Sequence, residues 1–508
     1  MVVLVLIWVW DLVFSGAKKM ENSDRRPLTL KTSIKTYTFG QDKVVPPEKT
    51  IGNATLRLNK IEIPVLDNVF RIDNLDKIGI PAFICQINQV LKEQLRLTDS
   101  FGKGVIAEQA QASALMEAVE RYSCMSFLKE DSNFMIAPYS QVQDKTCPLT
   151  DLLLPFDKDY KDNQAIMGDL AKIPLHWTKS FSLTENKEIL YPTRWFTYIY
   201  GTTGFAAGNS MEETILQGLC EVFERHSISS VVKEEIATPS IDVNSIKNPI
   251  AKELISKFYS AGVELFINDF SLGLGVPTVG VLAHDPHNPL ETIRIYNAAG
   301  THLNRNNALI RALIEVAQHR CQMLFREGIQ KIEGGPTYCF PRFKSLDEAR
   351  YLTNKDRKVK FSELPSYYNK DFKKEIERTI QVLSDNDFKI IATDVTHPLL
   401  KVPAVIVTIP RSRLNRPTTK MNPYFVMARS YMVIDRYHEA IECFEKAFEL
   451  DPLERENPKM LCRVGLCHKR IKNYHVAVEL FQNAFELNPK LFLSKNLVQE
   501  FAAIVRQL

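Results

Sequence analysis

The stretch GFAAGNSMEETILQGLCEVFERHS, residues 204–227, is the most informative part of this sequence. After a glycine-containing start, its apolar residues recur at intervals of three and four, which predicts an amphipathic helix over 211–234. One face of this helix carries acidic and amide side chains along about 16 Å: Glu213, Gln217, Glu221 and Glu224. Because small and apolar residues surround the acids, we expect half-buried carboxylates that need a cationic partner.

The pattern Glu-x-x-Glu-Arg-x-Ser occurs at 117–123 and again at 221–227. On a helix its acids and its arginine share a face, where carboxylates one turn apart can bind Mg²⁺ and arginine can bind phosphate oxygens with two hydrogen bonds. A third helix carries a related set: Arg311, Glu315, Gln318 and Arg320. We therefore predict a metal–nucleotide site built by helices, since the chain contains neither G-x-x-x-x-G-K-[ST] nor G-x-G-x-x-G.

The alternative for these helices is a solvent-exposed face with Glu–Arg pairs, which ordinary helices often carry. Two observations favour the site over that alternative. The acids lie among small and apolar residues in ASALMEAVE and GLCEVFE, and the whole pattern occurs twice.

Short β-type runs alternate with amphipathic helices from about 40 to 412, which predicts an α+β domain. The predicted strands are rich in Val, Ile, Tyr and Phe and are bounded by Gly, Pro or Asp: 80–87, 189–200, 275–283, 388–393 and 402–409. The predicted helices have apolar residues at intervals of three and four: 107–129, 211–234, 249–261, 306–328 and 370–384. A polar, proline-containing linker over 413–420 follows the domain.

The C-terminal part of the chain repeats itself. YHEAIECFEKAFELDP (437–452) returns 37 residues later as YHVAVELFQNAFELNP (474–489). Small residues within each copy let two helices approach and proline ends each copy, a pattern that resembles the tetratricopeptide repeat. We expect an all-α repeat region over 421–508, with a last helix at 491–507. Two repeats fall short of the three usually needed for stability, so we expect this region to pack on the main domain or on a partner.

Composition excludes several classes of protein. The chain has 508 residues, 45% hydrophobic residues and a formal net charge of +4. That hydrophobic fraction suits sizeable cores and excludes a disordered protein, and the near-neutral charge predicts no basic surface for nucleic acid. The nine cysteines form no C-x-x-C pair, which indicates buried apolar residues in a reducing, cytoplasmic protein rather than a zinc site or a disulfide framework.

Residues 1–39 are predicted to form a leader outside the domain of 40–412. The apolar run VVLVLIWVWDLVF (2–14) is shorter than the roughly 20 residues that span a membrane. Its positive charges follow the run, whereas those of a signal peptide precede it. Two interpretations stay open, a weak signal anchor or a true start of translation at Met20.

The three helix motifs resemble those of the YcaO family. The resemblance is carried, in order along the chain, by GKGVIAEQAQASALMEAVERYS (102–123), by 204–227 and by AAGTHLNRNNALIRALIEVAQHR (298–320), while RIDNLDKIGIPAF (71–83) resembles the start of the family's domain. It covers about 40–410. The resemblance implies a fold peculiar to the family, with ATP and Mg²⁺ bound between helices of this kind.

The resemblance also implies an activity, the phosphorylation of a backbone amide on its carbonyl oxygen. A neighbouring Ser, Thr or Cys side chain that then attacks gives an azoline, and an external sulfur source gives a thioamide. Four acids match the residues that hold the metal ions and phosphates and that carry catalysis: Glu117, Glu120, Glu221 and Glu224. Seven residues match nucleotide-contacting positions: Lys43, Thr50, Ser113, Asn209, Glu213, Arg225 and Arg311.

Other residues of the motifs receive lesser roles. Arg121, Gln318 and Arg320 look like neighbours that shape the site. Because phosphoryl transfer needs charge neutralisation more than an enzymatic nucleophile, we interpret Cys124 and Cys220 as packing residues.

Three functional hypotheses follow. The first is an ATP-dependent amide-activating enzyme, for thioamide formation or as an accessory factor in ribosomal-protein methylthiolation, whose repeats dock a protein or peptide substrate or a sulfur-delivering partner. The second is an ATP-binding adaptor that recruits partners through the repeats. The third is an azoline-forming cyclodehydratase of peptide natural products, which the absence of a proline-rich PxPxP tail disfavours. The complete set of four acids favours the first, and by analogy with the family a homodimer is expected.

Overall fold

The computed structural model describes residues 28–333, 343–354, 356–413, 421–489 and 500–502. Three predicted features lie wholly or mostly outside these ranges: the leader up to residue 27, the linker from 414 to 420, and most of the last helix. The main-domain helices are α1 Pro47–Leu58, α2 Gln89–Leu95, α3 Ala107–Lys129, α4 Lys158–Lys161, α5 Gln164–Lys172, α6 Thr193–Tyr200, α7 Met211–Lys233, α8 Pro249–Ser260, α9 Arg305–Glu333, α10 Arg350–Thr353 and α11 Phe372–Ser384. The strands are β1 Leu66–Arg71, β2 Ala82–Ile87, β3 Ser100–Lys103, β4 Met135–Ala137, β5 Leu175–Ser182, β6 Lys187–Tyr191, β7 Phe205–Ala207, β8 Ser240–Asp242, β9 Glu264–Asp269, β10 Thr278–His284, β11 Ile295–Thr301, β12 Lys358–Lys360, β13 Ile391–Asp394 and β14 Ala404–Thr408.

Within the described residues, the strands form three sheets whose neighbouring strands are almost all antiparallel. The first has the order β1-β2-β3, the second β11-β10-β9-β8-β12, and the third β4-β5-β13-β14-β7 with β6 paired to β5. The pair β8–β12 is parallel. Helices pack on these sheets, so the predicted α+β class is confirmed.

One strand of each sheet runs directly into a long helix. In this way β3 leads into α3, β7 into α7 and β11 into α9. All five predicted helices are present, and the two that carry the paired acids span Ala107–Lys129 and Met211–Lys233. A side-chain cap fixes the start of α7, since the Ser210 hydroxyl accepts a hydrogen bond from the Glu213 N–H at 3.2 Å.

The prediction of a single strand over 189–200 is wrong. The strand β6 ends at Tyr191, and helix α6 occupies Thr193–Tyr200 after Pro192. Proline lacks the N–H that a continuing sheet ladder would need, and it suits the start of a helix. The aromatic residues that suggested a strand instead form the buried face of α6, because burial in the core outweighs the preference of such residues for strands.

The C-terminal repeats form two helix pairs, α12 Pro423–Val433 with α13 Tyr437–Leu450 and α14 Pro458–Arg470 with α15 Tyr474–Leu487. The residues of the repeat pattern that are fully buried are Ala440, Phe444 and Ala447 in the first copy and Ala477, Phe481 and Ala484 in the second. The first pair shares a hydrophobic cluster with α5, α6 and the 137–156 region. The repeats therefore pack on the main domain, one of the two expected arrangements.

No helix in the described ranges is both long enough and apolar enough to cross a membrane. The described cysteines, for their part, are all buried and free.

Candidate nucleotide and metal site

A cavity of about 710 Å³ lies between α3, α7 and α9 and is closed at one end by the segment 40–50. All eleven residues predicted for the site line it: Lys43, Thr50, Ser113, Glu117, Glu120, Asn209, Glu213, Glu221, Glu224, Arg225 and Arg311. The fold thus brings together residues that are up to 268 positions apart, from Lys43 to Arg311.

Two glycines permit the close packing that places α3 and α9 along the cavity. A Cβ atom on Gly102 would lie 2.0 Å from the carbonyl oxygen of Ala110, and one on Gly300 would lie 2.3 Å from that of Ala308. In both units the glycine of the strand contacts the helix eight residues later. Any other residue at these positions would push the strand away from its own helix.

The three helices present the same sequence register to the cavity. The segments ALMEAVER (114–121), GLCEVFER (218–225) and ALIEVAQH (312–319) place an acid at equivalent positions, Glu117, Glu221 and Glu315. In the third segment the second acid and the arginine are replaced by Gln318 and His319. The site is therefore built by three related units, of which two supply the paired acids.

Backbone N–H groups of two strands fix two of the four paired acids. The Phe101 N–H donates to Glu117 Oε2 at 3.0 Å, and the Thr301 N–H donates to Glu224 Oε2 at 3.1 Å. The second oxygen of Glu117 accepts a hydrogen bond from Arg121 at 3.2 Å, and carboxylate oxygens with two lone pairs each keep capacity to accept a ligand.

The other two paired acids, Glu120 and Glu221, have raised pKa values, and a backbone hydrogen bond at Gly204 only partly opposes the rise for Glu221. Burial raises the pKa of Glu120 well above its usual range, and the charges of Glu221 and Glu117 add to the rise against the opposing charge of Arg121. Burial also raises the pKa of Glu221, and Glu224 adds to this rise. Acids crowded in this way are stabilised as carboxylates when a cation lies among them.

The N-terminal segment 40–50 contacts the start of α7 through Glu213, at the end of the cavity that this segment closes. The Glu213 carboxylate accepts hydrogen bonds from the Val44 N–H at 2.8 Å and from the Asn209 side-chain amide at 3.1 Å, and it pairs with Lys43 at 3.3 Å. Thr50 donates to the side-chain oxygen of Asn209 at 3.3 Å. The predicted nucleotide-contacting residues of this segment thus form one connected polar network with the start of α7.

Comparison with known proteins identifies the family of the chain. The family model for YcaO cyclodehydratases, described as ATP- and Mg²⁺-binding, matches residues 101–413. Tetratricopeptide-repeat models match 422–453 and 458–491. An uncharacterized protein of Methanothermobacter thermautotrophicus is 30% identical over 384 residues, which cover 72% of this chain and 94% of that protein.

The chain belongs to the YcaO family. The ribosomal protein S12 methylthiotransferase accessory factor YcaO of Escherichia coli is 27% identical over 243 residues, which span 43% of this chain but only 40% of that protein. The structure of YcaO from Methanopyrus kandleri bound with AMPPCP and Mg²⁺ aligns with a TM-score of 0.57 and 22% identity, over 77% of this chain and all of that one. The predicted family and fold are confirmed, and ATP and Mg²⁺ are confirmed as the cofactors of the YcaO domain at the level of the family.

The residues of this YcaO domain fit both cofactors. Four carboxylates in one cavity are the oxygen ligands that Mg²⁺ prefers. Three polar atoms of the cavity wall are buried with no hydrogen-bond partner in the described part of the chain: Arg121 Nη1, Arg311 Nε and Gln318 Oε1. Buried guanidinium N–H groups without acceptors suit phosphate oxygens, because an unpaired buried donor is costly to leave unsatisfied.

Among the cavity residues that were not predicted as nucleotide or metal ligands, Lys103 and Glu315 carry charge between helices α3, α7 and α9. Lys103 forms an ion pair with Glu315, and burial lowers the pKa of Lys103 to about 8. Lys103 lies between the two glycines of the G-K-G motif, and Glu315 lies four residues after Arg311. The signals that could have identified them are the glycine pair, which brings the backbone close to a helix, and the equivalence of Glu315 with Glu117.

Arg320, expected to shape the site, lies outside the cavity lining. Its guanidinium is fully buried and donates to Asp76 at 2.8 and 3.0 Å and to Asp285 at 2.9 Å. His319, next to it, faces the cavity instead. A one-residue step turns a helical side chain by about 100°, which explains why neighbours in sequence serve the core and the site separately.

A second group of possible metal ligands at the cavity edge already contains a cation. Asp42, His302 and Glu375 lie close enough to share an ion. The buried ammonium of Lys35, however, lies 2.8 Å from Asp42 and 2.7 Å from Glu375. Burial lowers the pKa of His302, which leaves this ring neutral. We interpret the group as an internal ion-pair cluster that fastens the N-terminal segment to α11.

The two cysteines of the helix motifs are buried. Cys220 lines the cavity, and burial raises the pKa of its thiol to about 12. Cys124 is fully buried in a hydrophobic cluster, where burial raises its thiol pKa further above the usual range. Protonated, buried thiols are poor nucleophiles, in agreement with the interpretation of both as packing residues.

Proposed function

We propose that this YcaO chain activates a backbone amide by phosphorylating its carbonyl oxygen, for thioamide formation or as an accessory factor in ribosomal-protein methylthiolation. The observation that carries the proposal is the meeting of Glu117, Glu120, Glu221 and Glu224 in one cavity with buried, unpaired guanidinium N–H groups. When bound, ATP supplies the phosphoryl group, and Mg²⁺ neutralises the charge that its transfer develops.

The chain's own residues then have distinct parts. Glu117 and Glu224, each fixed by a strand N–H, are the preorganised metal ligands. Glu120 and Glu221 complete the metal site and lose their raised pKa values when a cation lies between them. Arg121, Arg225 and Arg311 hold phosphate oxygens, while Lys43, Thr50 and Asn209 hold the nucleotide at the closed end.

The substrate chemistry balances without a nucleophile from the enzyme. The amide oxygen forms a bond to the γ-phosphorus as ADP leaves. A hydrosulfide ion would then add to the amide carbon, and the carbon–oxygen bond would break as inorganic phosphate departs with that oxygen and the sulfur-bound proton is released. The buried, protonated Cys220 thiol that lines the cavity supports an external nucleophile.

The cavity also has surface for a polypeptide beyond the polar end. Its lining also includes Phe101, Met116, Met125 and Met323, together with residues 202–203. Flexible, polarizable methionine side chains adapt to varied partners, which suits a peptide segment that presents its backbone amide to the carboxylates. A protein or peptide substrate is therefore part of this proposal.

Calorimetric titration of the whole chain with ATP, with and without Mg²⁺, tests the nucleotide site. We expect metal-dependent binding that Glu221→Gln/Glu224→Gln weakens at least tenfold. The matched control is Glu108→Gln/Glu253→Gln, which removes two exposed carboxylates from helices of the same domain and leaves the affinity unchanged. Equal weakening by both double variants, or binding that ignores Mg²⁺, would remove the metal-site assignment.

A second candidate function is an adaptor that uses ATP as a structural ligand. The packing of the first repeat on the main domain favours it, since this contact could link the nucleotide state to partner recruitment. The two functions differ in one observable. An amide-activating enzyme releases ADP and phosphate in proportion to a modified peptide, which mass spectrometry detects as an exchange of oxygen for sulfur, whereas an adaptor binds ATP with no stoichiometric product.

A further inference from the structure

Asn297 is a buried amide on β11 whose side chain has no hydrogen-bond partner within the described ranges. It is 1% exposed, and neither its Oδ1 nor its Nδ2 is paired there. Because side chains alternate between the two faces of a strand, Asn297 shares a face with Ala299, which packs in one hydrophobic cluster with Ile228 of α7. A buried amide that neither donates nor accepts is costly, and such groups are normally paired with protein or with ordered water.

A small pocket lies beside this amide, between β11 and the helices α7 and α9. Its volume is about 10 Å³, close to the least that holds one water molecule. We call this space the Asn297 pocket. It adjoins the nucleotide cavity, because four residues line both spaces: Glu224, Arg225, Glu315 and His319. Among the described residues, Asn297 lines the pocket but not the cavity.

The polar groups of the pocket wall determine which ligand it suits. The Asn297 amide offers both a donor and an acceptor, while the carboxylates of Glu224 and Glu315 offer acceptors. A cation would leave the Nδ2 donor unpaired and would lie against the guanidinium of Arg225, which also lines the pocket. An anion would be repelled by the two carboxylates. Water both donates and accepts hydrogen bonds, and it fits the volume.

We propose that the Asn297 pocket binds one water molecule that joins the Asn297 amide to the Glu224 carboxylate. Glu224 already accepts a hydrogen bond from the Thr301 N–H of the same strand at 3.1 Å, and the water gives this carboxylate a second fixed donor. Asn297 is thus a positioning residue that acts on the metal site through Glu224. Partners of this kind raise metal affinity because they hold a ligand in its binding orientation. The inference rests on the proposed function only in taking Glu224 as a metal ligand.

Crystal structures of the ligand-free whole chain test the water directly, without ATP or a peptide substrate. The parent should show one ordered water molecule within hydrogen-bond distance of Asn297 and Glu224, and Asn297→Leu should lose it. Crystals soaked in rubidium chloride should show no anomalous peak in the Asn297 pocket. A rubidium peak there, a parent pocket without water density, or a direct hydrogen bond between Asn297 and Glu224 would overturn the proposal.

The dependence of ATP binding on Mg²⁺ separates a positioning role from a purely structural one. In calorimetric titrations at several Mg²⁺ concentrations, Asn297→Leu should raise the concentration for half-maximal binding about tenfold or more. Asn297→Ser, whose hydroxyl can bind the water, should recover part of that loss.

The matched control is Asn268→Leu, which removes a buried amide of β9 that donates to the Thr238 carbonyl oxygen at 3.3 Å. This variant should lower the melting temperature without moving the Mg²⁺ dependence. An Asn297→Leu protein with the parental Mg²⁺ dependence, or an equal shift in Asn268→Leu, would contradict the positioning role. A parent that binds ATP with no Mg²⁺ dependence would instead contradict the proposed function, and the crystal structures would still decide whether the pocket binds water.

Discussion

At the residue scale, the four paired acids of the cavity fall into two kinds. Glu117 and Glu224 are held by backbone donors, whereas Glu120 and Glu221 have raised pKa values because burial and neighbouring acids oppose their ionisation. A site of this kind stores unfavourable charge until a cation binds, so the ligand-free protein is less stable than its packing alone would make it.

The first prediction follows from that stored charge. A buried acid with a raised pKa binds a proton more readily in the folded state, so its contribution to stability falls as the pH rises through the folded pKa. At neutral pH, Glu120→Gln should therefore raise the melting temperature of the ligand-free protein by about 1 °C for each kcal/mol gained, because the unfolding entropy grows with chain length. The same variant should weaken binding of Mg²⁺ and ATP. Scanning calorimetry with and without ligand measures both effects.

The control for this prediction is Glu108→Gln on the same helix, whose side chain is exposed. It should change neither the melting temperature of the ligand-free protein nor the affinity for Mg²⁺ and ATP. A Glu120→Gln protein that melts lower than the parent in the absence of ligand would show that the carboxylate is already compensated in the apo state.

A second prediction concerns His226, beside the main-domain C-terminus. Its Nδ1 accepts a hydrogen bond from the Arg413 N–H at 3.0 Å, and burial, with the charges of Arg413 and Arg411, lowers its pKa to about 4. The unfolded chain binds this proton near pH 6.5, so stability is fully present above pH 6.5 and is lost as the pH falls toward 4. By linkage the loss at pH 5 is about 2 kcal/mol.

The variant His226→Asn tests whether protonation of His226 causes the predicted loss of stability at low pH. Asparagine can still accept the Arg413 hydrogen bond but does not titrate, so the stability of the variant should fall less steeply than that of the parent between pH 7 and pH 5. Urea unfolding at several pH values gives the slopes. His176 and His397 have pKa values lowered to about 4 in the same way and should keep their share of the acid sensitivity in the variant.

At the element scale, the strand-to-helix crossings depend on glycine. Gly300→Ala would place a Cβ atom 2.3 Å from the Ala308 carbonyl oxygen and 2.4 Å from the Ala312 nitrogen. Backbone atoms cannot move aside as a flexible side chain can, so β11 and α9 should separate, with a loss of about 1–3 kcal/mol or more and weaker ATP binding. Chemical unfolding and calorimetry measure the two effects.

A helical glycine elsewhere gives the matched control. Gly168 in α5 is exposed, and a Cβ atom there would meet nothing within 4 Å. Gly168→Ala should stabilise the protein by up to about 1 kcal/mol through helix propensity. Similar effects of the two substitutions would contradict the role assigned to the crossing.

The long helices and the acids were predictable because their signal is local and periodic. An acid stripe such as Glu213 to Glu224 is visible in one helix of sequence, and its repetition at Glu117 gives a second observation. The partners that fix these acids were not predictable, since the donors at Phe101 and Thr301 contribute only backbone atoms, which leave no signal in the sequence. The error at 189–200 has a similar cause, because nothing local shows that the aromatic residues after Pro192 are buried by the repeats and the sheet.

At the scale of the whole molecule, the repeats and the YcaO domain are joined by a common hydrophobic core. The cluster that contains Trp177 and Trp195 of the main domain also contains Phe425 and Phe444 of the first repeat. Polar contacts surround it, with the Tyr424 hydroxyl donating to Asp169 at 2.9 Å and Lys446 pairing with the same carboxylate. Two repeats that would be marginal alone are stabilised by this contact.

The last prediction tests whether this shared core makes the two regions unfold together. Val426→Asp places a carboxylate in the buried contact of α12, where an unpaired charge costs several kcal/mol. We expect the repeats to melt separately and at lower temperature, so that calorimetry shows two transitions in place of one. Val433→Asp, on the same helix at a side chain that is 42% exposed, should keep a single transition because its carboxylate remains in water. If Val426→Asp also melts in one transition near the parent temperature, then the contact contributes little, and the repeats owe their stability to their own packing. Val426 and Val433 lie two turns apart on one side of α12 and differ in burial, so a difference between the two variants reports the buried contact at Val426.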